Sequence, residues 1–362
     1  MAKSPGIGPE FAVSNKKIVP EVSLSNPVLV EITRGSQVES VHRGAIAIVD
    51  SRGGVRFALG DIDHAHFPRS SLKPIQALPL VESGAADAFG LGDEEIALAC
   101  ASHSGEPMHT SRVSAWLKRL DLGEADLACG PQASRYEPVA AEMIREGQAP
   151  TRILNNCSGK HAGFLTLARH WKIATAGYER HDHPVQMVVA QTLGELSDIH
   201  SEMPWGIDGC AAPNFAIPLK AFAHALARLA APKDATSDRG RASIRIVQAM
   251  IAHPELVAGT ARPCTILMQA SEGRFAVKTG AEGVYAAIVP KLGLGIALKI
   301  DDGAGRAAET AIAAVLVQMG LVGDRAVAEL LHAPVLNTRD MTVGKRRPAD
   351  ALTSADLRSA AR

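Results

Sequence analysis

Aromatic side chains are scarce, at 4% of the 362 residues. That scarcity argues against a stacking platform for single-stranded nucleic acid. Charge of neither sign prevails, since 38 Lys+Arg balance 38 Asp+Glu, and this argues against a dedicated nucleic-acid or membrane-surface binder. No run of about 18 apolar residues occurs, so no membrane span is expected. Cysteines are few and odd in number, at five. In a chain this long they read as reduced thiols of a cytoplasmic protein, not as a disulfide framework. The opening stretch MAKSPGIGPEFAVSNKK lacks the apolar core of a signal peptide.

What is present is a long, evenly charged chain with 46% hydrophobic residues. At this size folding should bury about 75% of the unfolded surface, enough for a full core without staples. Residues 1–26 read as a tag or loose arm, 27–348 as one catalytic domain and 349–362 as a loose tail. Short β-branched runs at Val28–Thr33, Gly44–Asp50 and Val55–Gly60, with turn chemistry between them, predict an N-terminal antiparallel meander. Helical spacing of apolar residues follows over Ser70–Glu82, Asp93–Ser102, Pro107–Leu120, Lys160–His170, Pro184–Leu196, Asn214–Leu229 and Arg241–His253. Strands return at Arg274–Thr279, Val284–Pro290 and Gly293–Ile300, and Arg306–Met319 reads as an Ala-rich helix. Strands at both ends with helices between predict an α+β fold, one antiparallel sheet assembled from both termini and covered by helices.

Three short motifs carry chemistry. Ser70-Ser71-Leu72-Lys73 places Ser70 at a helix start with Lys73 one turn on, on the same face. A serine hydroxyl attacks only once a base takes its proton, and a lysine of lowered pKa can be that base. The bland alternative is an N-cap serine, Ser70 or Ser71, followed by a surface lysine. Ser102-His103-Ser104-Gly105-Glu106 follows an apolar helix and fits either an active-site edge or a polar cap. Lys278-Thr279-Gly280 lies on a late strand, where the lysine either faces a substrate or protects a sheet edge. Taken in order, the three match the element order of penicillin-binding proteins and serine β-lactamases, with Ser102-His103-Ser104 where Ser-Asp-Asn would stand.

Two further segments hold cysteines in Gly-flanked turns. In Asn156-Cys157-Ser158-Gly159-Lys160-His161, Cys157 stands at a helix N-terminus, which should depress its pKa. In Asp208-Gly209-Cys210-Ala211, Cys210 is placed so that the two cysteines could converge on a soft metal. The alternative is a pair of small buried hydrophobes.

The stretches PRSSLKPIQALPL, CASHSGEP, NNCSGKHAGFL, WGIDGCAAPNFAIPL and VKTGAEGV, in that order, resemble the class 3 (Rhizobium-type) L-asparaginase family over Val28 to Pro348. The resemblance implies a fold similar to that of serine β-lactamases and penicillin-binding proteins, and hydrolysis of L-asparagine to L-aspartate and ammonia. It implies two Ser-Lys pairs, Ser70 with Lys73 and Ser102 with Lys278. It implies zinc on Cys157, Lys160 and Cys210, assisting substrate binding, and places Asp208 and His161 in that pocket. A homodimer acting on a small molecule, with no nucleic-acid or membrane partner, completes the expectation. The competing readings are a β-lactamase or peptidase-like amide hydrolase, a metal-dependent amidase with bystander serines, and a catalytically dead zinc- or amide-binding protein.

Overall fold

The computed structural model describes residues 26–361, so the expectation for the N-terminal arm falls, but for Asn26, outside the described residues. The main sheet is antiparallel and eight-stranded among those residues. Its strands are β1 (Val28–Arg34), β2 (Gln37–Asp50), β3 (Val55–Leu59), β4 (Ala276–Thr279), β5 (Val284–Val289), β6 (Leu294–Ile300), β7 (Pro334–Leu336) and β8 (Thr342–Pro348). They lie in the order β7-β8-β1-β2-β6-β5-β4, with β3 paired to β2 off this path. Strands from both ends of the chain therefore build one sheet, and the α+β expectation holds.

The length of β2, 14 residues, lets it change partners half-way. Its first half pairs with β1, Glu31 opposite Val41, and its second half runs between β6 and β3, with Ile48 opposite both Ile296 and Phe57. Every residue of β5 is buried, and all of β6 except Lys299. A strand with consecutive residues buried must be covered on both faces. Helix Leu219–Ala230 packs on β2, β5 and β6, and helix Gly305–Gln318 packs on β1, β5, β6 and β8. The first of these contacts needs Gly295, because a Cβ there would lie 2.0 Å from the Ala223 carbonyl.

Three differences from the periodicity reading concern the serine turn, the segment after Cys210 and the C-terminal tail. The helix expected over Ser70–Glu82 is broken into a 3-10 turn, Arg69–Leu72, and two short helices, Lys73–Gln76 and Leu78–Glu82. Pro74 and Pro79 each start a new segment because neither has an N–H to continue the previous one. Asn214 and Phe215, expected to open a helix, instead belong to strand Pro213–Phe215, which forms a small hairpin with Trp205–Ile207, and the helix starts at Leu219, beyond Pro218. The expected loose tail is packed: it forms helices Asp350–Thr353 and Leu357–Ala360, with Leu352 and Leu357 buried at 0% and 1% exposure.

Candidate active site

Ser70 lies on a turn that the backbone enters under strain. Arg69 has φ 53, a left-handed conformation that costs a non-glycine residue about 1–3 kcal/mol. Its guanidinium grips Asp208 with two bonds, Nη2 to Oδ1 at 2.9 Å and Nε to Oδ2 at 3.3 Å, and these oppose the strain. Ser71 is fully buried and donates to the Pro68 carbonyl at 2.5 Å, so it closes the turn. Ser70 is half-buried, and its hydroxyl makes no hydrogen bond to any described residue. The turn presses on the end of β4, where a Cβ on Gly280 would meet the Pro68 carbonyl at 2.6 Å. The Gly beside Lys278 thus admits the chain's own serine turn.

Ser102 sits in the extended segment after helix Asp93–Ala99. Its N–H donates to the Val257 carbonyl at 2.9 Å, and the His103 N–H donates to Asn156 at 3.3 Å. Two lysines reach its hydroxyl: Lys278 Nζ lies 2.7 Å from Ser102 Oγ and Lys73 Nζ 3.1 Å from it. Lys73 also donates to the Ala101 carbonyl, and Lys278 to that of Thr279 at 2.8 Å. Both lysines are buried, although β4 is the end strand of the sheet. Burial and, next, the charge of Lys73 push the Lys278 amine down to about 7. Lys73 thus contacts Ser102, not Ser70, and the two implied Ser-Lys pairs merge into one cluster around Ser102.

His103, between the two serines of its motif, is engaged at both ring nitrogens. Nδ1 accepts from the Gly105 N–H at 3.1 Å, so Nε2 donates to Ser158 Oγ at 2.9 Å. Glu106 ties the same segment to the next loop by accepting from Ser104 Oγ at 2.8 Å and from Thr260 Oγ1 at 2.6 Å.

The sulfur pocket lies at the start of helix Ser158–His170, with Cys157 as its N-cap. Cys157, Lys160, His161 and Cys210 are all buried. Lys160 Nζ lies 2.9 Å from Cys210 Sγ, and the Cys157 thiol donates to the same sulfur. That thiol bond and then the Lys160 charge, against burial, hold Cys210 well below its ordinary pKa. The bond to Cys210, then burial, drive Cys157 up to about 12. The expected depression of Cys157 by the helix end is therefore reversed, and of the two sulfurs Cys210 is the one on which negative charge is favoured. Asp208 faces burial, which favours the neutral acid, but the Arg69 bond, the Lys160 and Arg69 charges and the Gly209 N–H together outweigh it and keep the carboxyl below its ordinary value.

Two sulfurs in contact, with a lysine nitrogen against one of them, form a donor set that suits zinc. Among the described residues no group of three or more His, Cys, Asp or Glu could hold a metal. Zinc would therefore need Lys160 as a donor, after loss of the proton that negative charge on Cys210 favours.

Sequence reasoning missed Arg69, which stood unremarked inside the serine motif. It also missed Asn156, whose carbonyl accepts from Lys73 at 3.5 Å, and Tyr178, which touches His161. Their roles arise from contacts between distant segments, and no local spacing marks them.

The family model for L-asparaginase II matches residues 30–348. A comparison with curated proteins found no match. Among solved structures, the chain is similar to a β-lactamase from Mycobacterium bovis, at 15% identity and a TM-score of 0.39 over 79% of this chain and 94% of that one. It is also similar to a putative β-lactamase from Bacteroides dorei, at 12% identity and a TM-score of 0.37 over 71% of this chain and 84% of that one. The match to the family model spans the sheet, the serine turn, both lysines and the sulfur pocket, and the chain belongs to the L-asparaginase II family of amidohydrolases.

Proposed function

We propose that the protein hydrolyses L-asparagine to L-aspartate and ammonia through a serine ester. The observation that carries this reading is the Ser102 hydroxyl held between two buried lysine amines, one with its pKa near 7, with the turn that carries half-buried Ser70 packed on the strand of Lys278. Ser70 Oγ attacks the side-chain amide carbon, and a C–O bond forms. Its proton passes to the Lys73–Ser102–Lys278 cluster and on to the departing ammonia as the C–N bond breaks. Water then cleaves the ester and restores the serine. A lysine near pH 7 in pKa can both take and return a proton at neutral pH.

Zinc fits the sulfur pocket, where Cys157, Lys160 and Cys210 would hold it; bound there, it would supply a fixed positive charge beside the substrate. The resemblance to class 3 enzymes and the five free buried cysteines support a cytoplasmic homodimer as part of the same proposal. No helix among the described residues is long and apolar enough to cross a membrane.

One observation favours a second reading, with Ser102 as the esterified residue: its hydroxyl, not that of Ser70, contacts both amines. Acid quenching of turnover with L-asparagine, followed by peptide mapping, separates the two. An aspartyl ester on the Ser70 peptide, with Ser70→Ala inactive, is the expected result. An ester on the Ser102 peptide transfers the role, and the absence of ammonia release from asparagine overturns the asparaginase reading.

A further inference from the structure

Tyr178 stands outside every motif discussed so far, yet it determines what His161 can do. The Tyr178 hydroxyl accepts a hydrogen bond from the Ala128 N–H at 2.8 Å and lies 2.6 Å from His161 Nδ1. The phenol has one proton and must place it in a buried setting, where Tyr178 is 1% exposed. No other acceptor faces that hydroxyl among the described residues. Because the Ala128 N–H can only donate, the phenol proton goes to His161 Nδ1. Nδ1 is therefore the acceptor, and a neutral imidazole then carries its own proton on Nε2.

That second nitrogen is the unexplained group. His161 is fully buried, and Nε2 has no hydrogen-bond partner. It points away from Tyr178 by the geometry of the ring. The ring lies close enough to Lys160 and Lys73 for their charges to act on it. Buried N–H groups in folded proteins are almost always paired, so one left over beside a site points to a missing acceptor.

We propose that Tyr178 is a positioning residue that locks His161 as the Nε2–H tautomer, so that His161 donates a hydrogen bond to a carbonyl or carboxylate oxygen of the bound amide substrate. This goes beyond the asparaginase reading by fixing the direction of one contact, and it rests on that reading for the identity of the acceptor. In this state Nε2 has no free lone pair, so His161 is neither a metal ligand nor a base through that atom.

The lock can be read without activity. Long-range proton–nitrogen correlation spectra of the full chain with labelled histidines, the His161 signal being assigned by its loss in His161→Gln, should show protonation at Nε2 only. Addition of L-aspartate should shift that N–H signal. Protonation at Nδ1 in the wild-type chain overturns the proposal, and so does an Nε2–H signal indifferent to the ligand.

Kinetics supply the second arm. Tyr178→Phe should raise KM for asparagine about tenfold, the loss expected of one well-placed hydrogen bond. His161→Gln, which can present a donor near the Nε2 position, should lose less than His161→Asn. Tyr178→Phe added to His161→Gln should cost nothing further, because glutamine has no tautomer to lock. Additive losses in that double variant would make Tyr178 merely structural and overturn the proposal. A wild-type chain that does not hydrolyse asparagine would instead sink the functional reading, leaving the spectroscopic test of the tautomer standing.

Discussion

At the residue scale, the arrangement turns on two buried lysine amines that reach the same hydroxyl. Lys278 lies in a dry site near Lys73, which is why its amine falls to about 7. Below that pH it is an ammonium and cannot accept a proton from Ser102. The rate should therefore fall as pH drops through about 7 and level off above it. Lys278→Met should lower kcat about 100-fold or more and abolish that limb, as a pH profile of kcat/KM would record. A retained limb would place the titrating group elsewhere. Cys157→Ser tests the sulfur pocket. Protein prepared without chelator should carry about one zinc per chain; the variant should lose it, with KM rising more than kcat falls. Metal analysis alongside steady-state kinetics checks both halves. The serines, lysines and cysteines were legible in the sequence because their chemistry is rare and their motifs are short. Arg69, Tyr178 and the partnering of Asp208 were not, since each is defined by a residue 17 or more positions away.

At the element scale, the site is a contact between three pieces: the serine turn, the extended segment through Ser102 and the end of β4. Gly280 is the tightest point. Gly280→Ala would put a methyl group 2.6 Å from the Pro68 carbonyl, so the turn carrying Ser70 must move. Overpacking of this kind costs about 1–3 kcal/mol, while displacing Ser70, the proposed nucleophile, should cost far more in rate. The expected result is a folded protein with a modest loss in thermal stability and most of its activity gone; circular dichroism melts and ammonia release measure the two separately. Full activity in that variant would detach the turn from catalysis. The strands flanking this contact were readable, because β5 and β6 are apolar but for Lys299. β7 and β8 were not: β8 carries Lys345, Arg346 and Arg347, and neither strand has the alternation of a half-buried one. The place of β8 is set by pairing with β1, a long-range fact with no local trace, and β7 follows by pairing with β8.

At the scale of the whole molecule, the tail after Pro348 belongs to the fold. Polar spacing made 349–362 look like a loose end, yet Leu352, Leu357 and Ala360 join the core. Ending the chain at Pro348 would remove two fully buried leucines, worth about 1.5–3 kcal/mol each. Urea unfolding of that variant should show a loss of about 3–6 kcal/mol, reduced to the extent that the exposed surface repacks. An unchanged midpoint would return the segment to the status of an appendage.

The pairing of early and late strands has a consequence for synthesis. β2 is made early, but its partner β6 lies some 250 residues further on, and β4, with Lys278, reaches the sheet only through β5 and β6. A chain still being translated thus carries both serines and Lys73 long before it can seat the second amine. Contacts of such long separation form late and slowly. The cluster around Ser102 can therefore be completed only after β4, β5 and β6 have all emerged and joined the sheet.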